Sequence, residues 1–443
     1  MVTVFAVAVG LAPIPGPSPI TVPQRDMQVA VTSWLTHRWS ADVPWLMPPP
    51  AWHASDSAIA AAVEGVAGQR FRTHVRIIEQ DLRDVDPVRE RRWHIDDEAT
   101  HDVGIERSWG VWSPDPHADG LAPSPRRVST VGGYRTRDAA VLIDPAAAQA
   151  RSAILAHELA HALADQHGGA QGGHRLATEG FAAMIEGRIV AGAGPWRWDE
   201  HLPDSDATYG ELTGFWLPYV AAPLAFEQIA RDDIDAIWSA LRDPSGEAVL
   251  TPAAWQPRLA DGPLPSDDRF RLLRPEGGAD LLALNELDPG HWVVLLGQHH
   301  PTDKVRRLAA GVTSTVEVAF RSDDDRTCVT ATMRTTTVAA SRALSDGLAD
   351  WAAAHESRAV AEGPERVLHI VGCDPEDDDL ARLDPAATAA VADLIQALRD
   401  DLDRPVSSVT FRGGSQHETR PAGAAFAACP GSTAAVPQRA LPR

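Results

Sequence analysis

Two histidines and a glutamate, spaced as His157-Glu158-x-x-His161, are the residues of this sequence whose types and spacing predict chemistry most clearly. Four residues turn a helix about 40° past one full turn, so both imidazoles leave the same face and could bind one metal ion. Glu158 lies beside that face and could take a proton from a water molecule on the metal. Zinc suits two imidazoles and a carboxylate, with a fourth position left open. The spacing therefore predicts a zinc-dependent hydrolase with Zn2+ as its cofactor.

The residues around this motif favour the same interpretation. The segment 152–164 is apolar apart from Ser152 and the motif residues. A buried helix that carried two histidines and a glutamate without partners would be costly, so ordinary core histidines are the weaker alternative. The pattern predicts one long helix over 146–167, which a glycine pair at 168–169 ends.

The third metal ligand must come from another helix, and Glu179 is the strongest candidate. It follows a glycine-rich loop at residues 168–173 and lies on a helix predicted over 174–191. Its neighbours are mostly apolar, although a solvated helix glutamate is the alternative interpretation. Glu186, seven residues further on the same face, is a weaker candidate.

Two polar residues at the end of the motif helix need separate interpretations. His167 has the position of the third histidine in HExxHxxGxxH, which would make a metzincin-type site. That motif needs a glycine where this chain has Ala164, which resists the required left-handed turn. On a continuing helix, His167 would lie roughly 240° around from His161 and about 9 Å along the axis, so we expect it not to bind the metal. Asp165 could orient His161, or could be a solvated residue near the helix end.

The residues quoted so far resemble the gluzincin metallopeptidases. The run His-Glu-Leu-Ala-His-Ala-Leu-Ala-Asp-Gln-His at 157–167, followed by an adjacent Glu-Gly pair at 179–180, is similar to uncharacterised bacterial metallopeptidase-like proteins that carry HELxHAL-x-DQ and an EG helix. The similarity covers about residues 130 to 255. It implies that Glu158 is the general base and that zinc has three ligands, namely His157, His161 and Glu179.

Two flanking segments agree with this resemblance. Gly133-Tyr134 and the strand that runs to Asp144 resemble the edge strand before the zinc helix of such proteins, and Leu217–Phe226 resembles a downstream helix that bears a tyrosine. The resemblance implies that Tyr219 on this helix stabilises an oxyanion. A core tyrosine on an amphipathic helix is the alternative, and Tyr209 is then the next residue to test.

The pattern of elements predicts an α+β protein with two domains. An apolar and proline-rich segment, 1–24, precedes a zincin-like catalytic domain, 25–260, that carries the HExxH helix and the glutamate helix. A stretch rich in proline, glycine and charge separates it from a smaller α+β domain of unknown role, 279–435. The smaller domain is predicted to contain helices over 279–309, 339–355 and 385–402, and strands over 314–321, 327–335 and 366–371.

Composition limits the partners. The 443 residues carry a formal net charge of −21, which argues against a nucleic-acid partner because such a partner selects a basic surface. No segment after the N-terminus is long and apolar enough to span a membrane. The expected partner is therefore a peptide or protein substrate.

The N-terminus and the cysteines bear on the compartment. Met1–Ala12 has the length and apolarity of a signal-peptide core, but the first positive side chain is Arg25. Either the start lies upstream or the segment is a buried strand. Export is favoured, which predicts a secreted or cell-surface protein, with the cytoplasm as the alternative; a bacterial source is implied only by the resemblance. The three cysteines allow either one disulfide and one free thiol or three reduced thiols. In an exported chain, Cys373 and Cys429 are the predicted pair, because Cys328 lies inside a strand.

Two functions of different classes follow. The first is an active metallopeptidase that acts outside the cytoplasm. The second is a catalytically inactive surface or binding protein that keeps a metallopeptidase scaffold. The intact Glu158 favours the first, since a binding module has no use for a buried base.

Overall fold

The structure is a computed structural model, and it describes thirteen stretches of the chain: 35–39, 54–82, 98–112, 129–145, 148, 150–169, 175–193, 202–205, 207–243, 245–255, 281–322, 324–363 and 366–403. The chain divides into a compact unit, Met1–Arg404, and a second unit, Pro405–Arg443. All described residues belong to the first unit. The predicted N-terminal segment 1–24 and Cys429 lie outside the described residues.

The α+β class is confirmed, because helices accompany two separate sheets. The first sheet has four strands in the order β1-β3-β4-β2, in which β2 runs parallel to β4 and the other neighbours are antiparallel. The sequence pattern of residues 131–144 predicts a strand, a turn and a second strand, and the structure confirms them as β3 and β4. The alternating pattern of residues 71–78 also predicts a strand, but only its last three residues, together with Glu79, form β2. The strands are β1 (Leu35–Trp39), β2 (Arg76–Glu79), β3 (Ser129–Arg135) and β4 (Ala140–Ile143).

Four helices come from the same part of the chain as this sheet; the HExxH helix packs on the sheet, whereas the helix Glu98–Trp109 packs against the second sheet. The first begins where the Ser55 side chain accepts a hydrogen bond from the Ala58 amide, and it ends at Gly68 in the left-handed region. The third is the HExxH helix, whose residues from Ser152 to Ala164 are all buried. It begins at Arg151, a turn later than predicted. The helices are α1 (Asp56–Ala67), α2 (Glu98–Trp109), α3 (Arg151–Gln166) and α4 (Arg175–Ala193).

The next helical stretch along the chain packs against α4, has a π-helical segment in its middle and carries Tyr209 and Tyr219. Its first turn, α5 (Tyr209–Glu211), is closed by a capping box between Thr208 and Glu211. A π-helical segment (Leu212–Ala221) contains Pro218, which lacks an N–H and cannot continue an α-helical ladder. The remaining helices here are α6 (Ala222–Asp232), α7 (Ala236–Arg242) and α8 (Glu247–Leu250).

The second sheet has five strands in the order β5-β6-β7-β9-β8, and every neighbouring pair is antiparallel. Its strands are β5 (Leu281–Leu287), β6 (Val312–Arg321), β7 (Thr327–Thr335), β8 (Ala359–Glu362) and β9 (Val367–Cys373). Its helices are α9 (Pro289–Gly297), α10 (Thr302–Ala310), α11 (Val338–Gly347), α12 (Ala349–Ala353), α13 (Asp378–Ala381) and α14 (Pro385–Asp403).

The stretch 279–309 is predicted to be largely helical, but its first described residues, 281–287, form the strand β5. The run Leu-Leu-Ala-Leu-Asn-Glu-Leu at 281–287 is too short for its periodicity to separate a strand from a helix. Pairing with β6 decides in favour of the strand, because strand formation depends on cross-strand neighbours that a local pattern does not contain.

Residues from both halves of the chain belong to one hydrophobic core, which extends in sequence from Ile59 to Leu398. The C-terminal helix α14 packs against α6 and the π-helical segment. The predicted domain boundary, 261–278, lies outside the described residues, so the division into two domains stays a prediction.

The predicted disulfide between Cys373 and Cys429 is wrong. Cys328 on β7 and Cys373 on β9 are direct cross-strand partners and are joined by a disulfide. Their Cα atoms are 4.0 Å apart. The position of Cys328 inside a strand is the reason for which the sequence analysis excludes it, yet that position brings it opposite Cys373.

None of the helices in the described stretches combines the length and the apolarity that a membrane span needs.

Candidate metal centre

The side chains of His157, His161 and Glu179 converge on one point. The two Nε2 atoms are 3.0 Å apart, and Glu179 Oε2 lies 3.3 Å from Nε2 of His157 and 3.5 Å from Nε2 of His161. Ligand atoms at the edges of a tetrahedron around zinc are separated by about 3.3 Å when each is about 2.0–2.1 Å from the ion. The three atoms therefore fit a single metal ion, and we call His157, His161 and Glu179 the metal group. Among the described residues, this is the one such group of histidine, cysteine and carboxylate side chains.

The sequence builds this group from two packed helices. The four-residue spacing within α3 places the two imidazoles on one face, as predicted. Two residues past the last residue of α3, Gly168 has a φ of 78°, the left-handed conformation in which helices commonly stop. Gly180, beside the carboxylate ligand, packs so closely on α6 that a Cβ there would clash with Ala222. The Glu-Gly pair therefore combines a candidate metal ligand with the small residue that lets its helix approach the next one.

All three side chains are fully buried, and their charges depend on one another. Burial alone would lower the pKa of His157, but hydrogen bonds to Glu179 and Glu186 raise that pKa to about 10. Burial alone would raise the pKa of Glu179, but the two histidines hold it well below its usual range. Burial lowers the pKa of His161. Without a metal, His157 therefore carries a second ring proton at neutral pH, and a metal ion would displace that additional proton.

Glu186 is not positioned as a ligand, although it was the weaker candidate for that role. Its Oε2 lies 3.1 Å from Nδ1 of His157, on the opposite side of the ring from the converging Nε2 atoms. The imidazole N–H therefore donates to this carboxylate, which fixes the tautomer and leaves Nε2 free to coordinate. Burial raises the pKa of Glu186. The seven-residue spacing from Glu179 was the one signal in the sequence for this carboxylate.

Asp165 does not orient His161, and it is not simply solvated either. Its Oδ2 accepts a 2.8 Å hydrogen bond from the hydroxyl of Tyr134 on β3. At this end of α3, the side chain of Asp165 reaches the neighbouring strand rather than the histidine one turn before it. His161 Nδ1 has no hydrogen-bond partner among the described residues.

Glu158 is buried against the backbone of β3. A Cβ on Gly132 would clash with Ile154 of α3 and would come within 3.2 Å of Oε1 of Glu158. The absence of a side chain at Gly132 thus makes room for the carboxylate between strand and helix. A glycine pair inside a predicted strand is the signal by which the sequence could have shown this close approach.

Tyr219 lies beside the metal group. Its side chain is buried, and its ring centroid is 5.9 Å from that of His157. Burial and the neighbouring Glu179 carboxylate raise the pKa of the Tyr219 hydroxyl well above its usual range, so the group is a hydrogen-bond donor at neutral pH. Tyr209 lies elsewhere, with its hydroxyl 2.6 Å from Nδ1 of His291.

His167 is separate from the metal group, as expected for a helix that continues past Ala164. The helix α3 ends at Gln166, and Nε2 of His167 lies 2.9 Å from the carbonyl oxygen of Arg70. Its ring packs 5.1 Å from Trp238, between ring centroids. The contacts of His167 therefore point to a structural role.

Comparison of the chain with family models, curated proteins and solved structures found no match. The residues and the geometry of the site consequently carry the functional argument alone.

Proposed function

We propose that this protein is a gluzincin-type zinc metallopeptidase, with a zincin-like arrangement of the first sheet, the HExxH helix and the glutamate helix. One observation carries the proposal: the two imidazoles and the Glu179 carboxylate converge at tetrahedral spacing, with Glu158 on the next residue of the same helix.

The donor set favours zinc as the metal. Two imidazole nitrogens and one carboxylate oxygen are ligands that zinc accepts readily, and three protein ligands leave a position open, as in catalytic sites. When bound there, zinc would act as a Lewis acid that polarises a carbonyl group and makes water more acidic. His157, His161 and Glu179 would hold it.

The other side chains have roles that follow from their positions. Glu158 would accept a proton from the water molecule that attacks the peptide carbonyl carbon and pass it to the amine that leaves as the C–N bond breaks. Tyr219 would donate a hydrogen bond to the oxyanion that develops on the carbonyl oxygen. Glu186 would keep the His157 ring in the orientation that coordination needs.

A catalytically inactive binding protein is the second candidate. Such a protein would have no need for a carboxylate in the position of Glu158, which is fully buried against β3 on the helix that carries both histidines. The strand glycine that makes room for it, Gly132, would be equally unnecessary. These two features favour the enzyme.

We also propose that the protein is secreted or displayed on the cell surface. Disulfides persist in oxidising compartments and are rare in the cytosol of mesophiles. The cross-strand bond between Cys328 and Cys373 is the observation that supports this location.

The test is Glu158→Gln in the zinc-loaded protein, measured by turnover of a mixed peptide library. An amide cannot accept the proton, so we expect a loss of at least ~100-fold in turnover with zinc content unchanged. Glu227→Gln is the matched control, because Glu227 pairs with Arg188 away from the metal group and should leave turnover intact. Near-normal hydrolysis by Glu158→Gln would disprove the assigned role, and no hydrolysis by the wild type would favour the binding protein.

A further inference from the structure

A partly exposed arginine adjoins the buried metal group. Arg175 is the first residue of α4, one turn before the carboxylate ligand Glu179. Its side chain is 36% exposed, whereas the histidine and glutamate side chains of the metal group are at most 1% exposed. Arg175 therefore brings a permanent positive charge to within 3.9 Å of Glu179 while part of its side chain stays in contact with solvent.

The contacts of this guanidinium are weak. Nη2 lies 3.5 Å from the carbonyl oxygen of Gly214, and Nε lies 3.9 Å from Oε1 of Glu179, which is too long for a hydrogen bond. The Tyr219 hydroxyl is also a hydrogen-bond neighbour. A guanidinium has more N–H donors than these partners use.

Another arginine on the same helix, Arg188, has a guanidinium that is fully engaged by a carboxylate. Arg188 meets Glu227 in a two-point pair, with distances of 2.8 and 2.7 Å. Its charge and its geometry are both satisfied by that one carboxylate. Arg175 has no comparable carboxylate pair among the described residues, although it lies beside the metal group.

An aromatic side chain adjoins the same place. Phe215 of the π-helical segment is only partly buried and follows Gly214 directly. Its ring stacks on that of Tyr219 at 6.1 Å between centroids, and Tyr219 in turn lies against His157. A line of rings thus connects a partly exposed aromatic surface to a metal ligand.

We propose that Arg175 binds a carboxylate of the substrate, with the side chain of the same substrate residue packed against Phe215. A planar guanidinium binds a carboxylate through two parallel hydrogen bonds, which supplies both affinity and orientation. The carboxylate could be the free C-terminus of a peptide or an acidic side chain. The substrate class is then a peptide with a negative charge close to the scissile bond. The consequence for hydrolysis rests on the proposed peptidase function, but binding of the carboxylate does not.

Binding is tested first, with N-acetyl-phenylalanine and its amide as probes of the zinc-loaded protein in isothermal titration calorimetry. We expect the wild type to prefer the carboxylate by about tenfold or more, the scale of one charged hydrogen bond over a neutral one. Arg175→Gln should lose this preference, Arg175→Lys should keep part of it, and Arg188→Gln should keep all of it. Equal binding of the two probes by the wild type, or an unchanged preference in Arg175→Gln, would overturn the proposal.

Zinc content separates this role from support of the ligand. Arg175→Gln should bind zinc as the wild type does. If this variant instead loses zinc as Glu179→Ala is expected to, Arg175 holds the ligand carboxylate and the proposal is wrong.

Turnover then identifies the source of the carboxylate. One pair of peptides differs in a free or amidated C-terminus, and a second pair differs in glutamate or glutamine near the scissile bond. A preference in the first pair that Arg175→Gln abolishes indicates a C-terminal carboxylate, and one in the second pair indicates an acidic side chain. No preference in either pair would contradict the proposal. If no peptide is hydrolysed while the probe preference persists, the peptidase function fails and the carboxylate site stands.

Discussion

Two buried polar clusters of this protein contain histidines, His157 and His291, whose pKa values are shifted in opposite directions. In the metal group, carboxylates contact both ring nitrogens of His157, at 3.1 and 3.3 Å, and the pKa of this histidine is raised to about 10. Near the second sheet, burial lowers the pKa of His291 to about 3. His157 thus carries an additional proton at neutral pH, whereas burial keeps His291 neutral, as it does the second histidine of the metal group, His161.

The neighbours explain the difference. The Nδ1 atom of His291 faces the hydroxyl of Tyr209, and its ring meets the edges or faces of Trp109 and Trp292 at 5.0 and 4.7 Å between centroids. The buried carboxylate in this cluster, Glu317, accepts a hydrogen bond from the indole nitrogen of Trp109. The tryptophan neighbours of His291 carry no atom that could join it in binding a metal ion. The metal group, by contrast, brings a second imidazole and a carboxylate close to His157. Burial of a histidine therefore says little about function until its partners are known.

The tyrosines of the two clusters give the largest expected contrast. Tyr219→Phe should lower turnover by about 100-fold or more while zinc content is unchanged, because it removes the proposed oxyanion donor. Tyr209→Phe should leave turnover unchanged and lower the free energy of unfolding by about 1 kcal/mol, the net contribution of one hydrogen bond. Peptidase assays and denaturant titration of both variants decide this. An unchanged rate in Tyr219→Phe would mean that this tyrosine is only a core residue.

The two buried carboxylates give the next contrast. Glu186→Gln should weaken zinc binding by roughly 10-fold or more, because the partner of the His157 N–H loses its charge. Glu317→Gln should leave zinc affinity unchanged, because Glu317 contacts Trp109 rather than a ligand. Competition with a zinc chelator measures both. Equal affinities for the two variants would remove the orienting role of Glu186.

The smallest expected effect is the number of protons that the protein releases when zinc binds. The raised pKa of His157 means that the metal-free protein holds this proton at all pH values below about 10, so zinc must displace it. We expect release of about one proton per zinc at pH 7, and an affinity that falls as the pH is lowered. Calorimetry in buffers of different ionisation enthalpy counts the proton. Zinc binding at pH 7 without proton release would contradict the charge state described for this group.

The parts of the site that could be predicted from the sequence are those set by local geometry. Helical spacing fixes the two histidines on one face of α3, and the glycine-rich reversal brings Glu179 back toward them. The same local argument explains why His167 lies elsewhere, since it needs only the continuation of the helix. Each of these depends on residues within a few turns of one another.

The parts that could not be predicted depend on contacts between distant residues. The role of Glu186 depends on the packing of α4 against α3, and the room for Glu158 depends on the glycine of β3 that faces it. The disulfide between Cys328 and Cys373 depends on the register of β7 with β9, which no single strand pattern contains. The strand at 281–287 depends likewise on its partner β6.

The central claim is that one metal ion binds where His157, His161 and Glu179 converge. The most direct test is a zinc competition titration of the wild type, Glu179→Ala and His167→Ala. We predict one zinc per chain in the wild type, an affinity reduced by about 100-fold or more in Glu179→Ala because a ligand is lost, and little change in His167→Ala. The reverse ranking of the two variants, with His167→Ala losing zinc and Glu179→Ala retaining it, would contradict the account.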